Sequence, residues 1–63
     1  MKVLTVARIE HSKEAAIAAI ERTRKAGQVW DGQALVKGRV VGETIVERRV
    51  SDWRAEADFE VTE

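Results

Sequence analysis

The chain has 63 residues, with 11 Lys and Arg balanced by 11 Asp and Glu, so its formal net charge is zero and its charges are mixed rather than massed. That balance does not draw a polyanion from a distance, and zero Cys with a single His argues against a disulfide-stapled or zinc-held fold. Read as one domain, 1–63, it is too short for a generous core, since a lone core below about 70 residues rarely supplies more than a few kcal/mol; association with further copies is the remaining route.

The opening, Lys2 to Ile9, sets Val3, Leu4, Val6 and Ile9 among Thr5, Ala7 and Arg8, and predicts a strand with both faces partly covered. It lacks the apolar run and small-residue cleavage site of a signal peptide. No later stretch approaches the roughly 20 apolar residues needed to cross a bilayer, so a cytoplasmic, soluble protein is expected. Ser12 then introduces a run of strong helix formers from Lys13 to Ala26, with Gly27 just beyond. A serine there can accept a hydrogen bond from an orphan N–H, and a glycine can take the left-handed closing conformation. Glu14 in the first turn and Arg22, Arg24 and Lys25 in the last suit the helix dipole, and Glu21 sits four residues before Lys25. The apolar stripe of this helix, Ala16, Ile17, Ala19, Ile20 and Thr23, is small-sided and can approach a sheet closely.

After Val29-Trp30 the pair Asp31-Gly32 predicts a bend, followed by β-rich stretches from Gln33 to Val41 and from Glu43 to Val50. Gly38 and Gly42 interrupt this ribbon, which predicts a bulge at one of them and a turn at or near Gly42-Glu43. Ser51-Asp52 predicts a second turn or a kink. The closing run from Trp53 to Val61 alternates apolar and charged residues without a break, so Trp53, Ala55, Ala57, Phe59 and Val61 share one face and Arg54, Glu56, Asp58 and Glu60 the other. The order strand, helix, then two or three strands predicts an α+β fold: a strand-helix-strand-strand subunit with one helix packed on an antiparallel sheet of three strands or four segments.

Several of these pieces fall in a familiar order: Lys2-Val3-Leu4, Ser12 ahead of an alanine-rich helix, Ala19-Ile20-Glu21-Arg22, Val29-Trp30, Gly42, Val46-Glu47-Arg48-Arg49, and the closing Phe59-Glu60-Val61. In that order and spacing the chain resembles the dodecins, small flavin-binding proteins whose subunits assemble into a hollow dodecamer. The helix is about one turn shorter than in that family. The resemblance implies a homo-oligomer that stores or sequesters riboflavin or a nucleotide form, FMN or FAD, without catalysing a reaction. It places Trp30 as the residue that stacks on the flavin ring. Asp52 stands where dodecins often carry a Gln that hydrogen-bonds that ring; an ionised carboxylate accepts but cannot donate.

The residues themselves leave two readings of Trp30 open. A large flat ring stacks well on an isoalloxazine, but aromatic side chains also dominate cores and subunit contacts. Asp52, Gln33 and Gln28 are candidates for the polar edge of a ligand, since a buried ring still needs partners for its N–H and C=O groups. For Gln28 a solvated turn position is favoured, and Trp53 is read as packing. Lys37, Arg39, Arg48, Arg49 and Arg54 could line a basic face for phosphate, but interleaved Glu43, Glu47, Glu56 and Asp58 favour ion pairs across the sheet. His11 has no second ligand at metal spacing and reads as a surface residue. With no Cys nucleophile, no Tyr and no Gly-rich phosphate loop, no catalytic residue and no metal ligand is assigned. Two alternatives remain beside flavin storage: a flavin-free assembly or interaction module that uses its strand edges and both Trp residues as anchors, and a weak nucleic-acid binder.

Overall fold

A computed structural model describes residues 2–62 of the chain. Five elements follow in order: β1 (Lys2–Glu10), α1 (Lys13–Ala26), β2 (Gln28–Trp30), β3 (Leu35–Arg49) and β4 (Asp52–Val61). The strands form one antiparallel sheet in the order β1-β4-β3-β2, with α1 covering one face, so the fold is α+β with the sheet in four segments.

The helix begins and ends where its capping residues stand. Ser12 is extended, at φ −137° and ψ 158°, and its Oγ accepts the Ala15 N–H at 3.1 Å; Gly27 closes the helix at φ 68° and donates its N–H to the Thr23 carbonyl at 3.1 Å. Ala16, Ala19, Ile20 and Thr23 are buried against the sheet, while Ile17 is half-buried. The Thr23 hydroxyl is satisfied by donating to the Ala19 carbonyl at 3.2 Å, so its burial leaves no polar group orphaned. On the outer side Glu21 pairs with Arg24 at 3.5 Å rather than with the expected Lys25.

Alternation in β4 does what its pattern requires. Ala55, Ala57 and Phe59 are buried under the helix, with Trp53 and Val61 packed at the margin of the same cluster. Val6 from β1, Val29 from β2 and Val40 from β3 complete the core, in which Phe59 and Ile20 are the largest fully buried side chains. A core so rich in alanine brings helix and sheet close together but removes little apolar area from water.

Of the bulge and the turn expected in the ribbon, the bulge is found, at Gly42, and the turn is not. β3 runs unbroken from Leu35 to Arg49, without a turn at Gly42-Glu43; the irregularity between Val41 and Ile45 sets Gly42, Glu43 and Thr44 opposite Ala57 alone. Gly42 takes φ 71° there, the left-handed conformation that lets an extra loop of backbone be absorbed in a bulge. Gly38 is a place of close approach instead. A Cβ on it would collide with the Phe59 ring, at 2.7 Å, and with the Glu60 carbonyl oxygen. Its N–H also donates to the Gly27 carbonyl at 3.0 Å, which ties the end of the helix to β3. A tight turn at Val50-Ser51 joins β3 to β4, with Val50 at φ 29° and 99% exposed.

Candidate functional site

Directly opposed residues in antiparallel strands point to the same side of the sheet, so the register fixes what lies on the face away from the helix. From β1 come Val3, Thr5, Ala7 and Ile9; from β4, Arg54, Glu56, Asp58 and Glu60; from β3, Arg39, Val41, Ile45 and Glu47. The β2–β3 pairing extends this face to one corner, where Trp30 lies opposite Leu35 and Gln28 opposite Lys37. Trp30 is therefore outside the core, with 65% of its surface exposed and the exposed Leu35 beside it.

Asp31 shapes that corner. Its Oδ1 accepts the backbone N–H groups of Gln33 at 2.8 Å and Ala34 at 2.9 Å, while its own N–H donates to the Ala34 carbonyl at 3.0 Å. Such a carboxylate turn is the local alternative that aspartate offers an extended chain, and it folds β2 back on β3 immediately after Trp30. Those two backbone hydrogen bonds, with the Lys2 ammonium at 3.6 Å adding its charge, hold the Asp31 carboxyl below its ordinary value of 3.8. Gln33 sits in the same turn, exposed, three residues after Trp30.

Asp52 is elsewhere. It starts β4 opposite Arg49, whereas Trp30 is paired to Leu35, so the two residues occupy opposite ends of the 15-residue β3 in a molecule whose longest dimension is 36 Å. There it meets His11, whose Nδ1 lies 3.2 Å from the Asp52 carboxylate. One chain thus brings Trp30 and Gln33 together and leaves Asp52 apart.

Gln28 belongs to β2 rather than to a turn, and it shares the face of Trp30 two residues away. Leu35 and Lys37 are further neighbours that sequence reasoning missed; counting back from the Asp31-Gly32 bend as a hairpin would have placed both beside Trp30. Trp53 lies on the helix side, half-buried, with the Lys13 ammonium 5.9 Å from its ring centroid. Two cations of the basic ribbon are neutralised by ion pairs, Arg39 with Glu60 at 3.4 Å across the strands and Arg54 with both Glu47 and Glu56. Among the described residues no group of three His, Cys, Asp or Glu side chains gathers as a metal site would require.

Comparison with known proteins finds no matching family model, no matching curated protein and no matching solved structure.

Proposed function

We propose that the chain is a dodecin-like protein that holds flavin in a homo-oligomer without turning it over. The observation that carries this reading is the position of Trp30. An indole left largely in water, on a short hairpin fixed by the Asp31 turn and flanked by Leu35, offers a flat apolar platform at little cost in side-chain entropy. Gln33 and Gln28 stand within the same corner as candidates for the polar edge of the ring. The flavin would supply the isoalloxazine surface and its redox-active ring; the chain supplies stacking, shelter from water and hydrogen-bonding groups.

Asp52 fits this site only across copies. Because it stands at the far end of β3, a ring stacked on Trp30 of one copy meets an Asp52 only if a second copy brings it there. That requirement makes assembly part of the site rather than an addition to it. The test is a riboflavin titration followed by flavin fluorescence. Saturable quenching is expected for the unaltered protein. Trp30→Ala should weaken it at least tenfold, about 1.4 kcal/mol, while the sedimenting mass stays the same. Unchanged quenching in that variant would remove Trp30 from the site, and loss of mass would make it a subunit contact.

A second reading, a flavin-free assembly module of the same fold, draws on one observation. Asp52 is already engaged by His11, so the residue assigned to the ligand has a partner of its own within the chain. On this reading Trp30 is an interface anchor, and no quenching occurs at any protein concentration. Among the described residues no helix is long and apolar enough to cross a membrane.

A further inference from the structure

The exposed large apolar residues of this chain are not scattered. Among the described residues, Val3, Ile9, Trp30, Leu35 and Ile45 all lie on the sheet face opposite the helix, and Val50 at the hairpin tip is the one outside it. Scattered singly, such residues are ordinary; gathered on one face with half-buried Ala7 and Val41 between them, they mark a surface that something covers. The outer side of the helix offers nothing comparable. Its exposed residues are the charged Lys13, Glu14, Glu21, Arg22, Arg24 and Lys25 together with the small Ala18 and Ala26.

We infer that this open sheet face, outside the Trp30–Leu35 corner, is the surface by which two copies of the chain pack together, sheet on sheet. Three observations select a second copy as the occupant. The first is area. A folded monomer of 7.1 kDa is expected to expose about 4,100 Å², yet this chain exposes 4500 Å², so it leaves uncovered some surface that a self-sufficient domain would bury. With dimensions of 36 × 23 × 17 Å, a face along the long axis presents roughly 600–800 Å², close to the about 800 Å² per partner of a standard interface.

The second is charge. Glu60 is matched by Arg39, and Glu47 and Glu56 by Arg54, so most charges on the face are already paired and lie along it. Left without an ion-pair partner among the described residues are Asp58 in the middle and the cations Lys37 and Arg49 toward the two ends of β3. Unmatched charges of both signs suit a copy of the same surface when the two-fold axis lies between the middle and one end of β3, so that the anion of each copy faces a cation of the other and the contact is made twice; a partner of one uniform charge would meet repulsion. The third is the core itself. The helix side buries mainly alanine and valine around Phe59 and Ile20, and a second sheet packed about 10 Å away would bury the other side as well.

This interface is a property of the open sheet face, and it holds whether or not a flavin binds at its corner. It is tested by sedimentation of the full chain and of two variants, with circular dichroism to show that each is folded. Ile45→Lys puts a charge in the middle of the face at a side chain that is 63% exposed, so the fold of the single chain should tolerate it. Val3→Glu repeats the test at the β1 edge should Ile45→Lys fail to fold. Ala18→Lys makes a matching change on the outer side of the helix. The expected result is a multimer for the unaltered chain and for Ala18→Lys, and at least a twofold loss of mass for the face variant. A monomeric unaltered chain at tens of micromolar, a face variant of unchanged mass, or equal loss of mass in Ala18→Lys would each overturn the inference. Flavin quenching is read separately on the same samples. A multimer that loses mass through Ile45→Lys but never quenches flavin leaves the interface standing and removes the flavin reading; quenching by a chain that associates through another surface does the reverse.

Discussion

Gly38 and Gly42 look alike in the sequence and differ entirely in what they do. Gly38 lacks a side chain because the Phe59 ring and the Glu60 carbonyl leave no room for one. Gly42 has open space around it and is needed for its φ of 71°. The two should therefore respond differently to alanine. Gly38→Ala forces a rigid backbone carbonyl aside and should cost about 3 kcal/mol, the upper end of overpacking effects. Gly42→Ala meets no neighbour and costs only the left-handed backbone, about 1 kcal/mol. Urea midpoints of the two variants check the order, and a larger loss at Gly42 would contradict it. No reading of single residues could have separated them, because the difference lies in the partner strand that each one faces. The same holds for the candidate site: Trp30 and Gln33 are near neighbours in sequence and stay so in space, whereas the distance to Asp52 depends on a register that the bulge sets.

At the level of elements, what was legible is what is specified locally. The helix carries its own start in Ser12 and its own stop in Gly27, and β4 carries its two faces in strict alternation, so both could be read directly and are found as read. β3 could not, since Gly42 suggests a turn until the antiparallel partner shows that the chain continues through it. The β2–β3 hairpin is again local, and its stability is tied to acid through Asp31. Because the folded carboxyl titrates below its ordinary value, the stabilisation from its charge is complete above the unfolded value near 4 and is lost as pH falls through the lower, folded value. Little change is expected between pH 5 and 7, and loosening of the hairpin below about pH 4. Trp30 adjoins the turn and reports on it: in a Trp53→Phe background its emission should shift on acidification, and adding Asp31→Asn, which retains an acceptor oxygen but no titrating charge, should flatten that step. Identical acid profiles with and without Asp31 would place the transition elsewhere.

For the whole molecule, a two-layer arrangement with alanine at its centre buries little apolar area, and on the proposed pairing of sheet faces association would supply part of the stability. Mass action then requires the midpoint of thermal unfolding to rise with protein concentration, by an amount measurable over a hundredfold dilution series. A midpoint independent of concentration would mean that the lone chain is sufficient. The sheet order has a further consequence, for the sequence in which the structure can be made. β4 is the last of the four strands to be synthesised, yet it lies between β1 and β3 and, among the described residues, is the only strand that β1 pairs with. Until it emerges, the first strand has nothing to bond to, and the helix has only part of a surface to rest on. Residues at opposite ends of the chain, such as Leu4 and Phe59, must find each other before the sheet exists, and closing so long a loop is the slow kind of step. This is a fold that waits for its final strand, and while it waits the face rich in valine and isoleucine has no sheet to hold it in place.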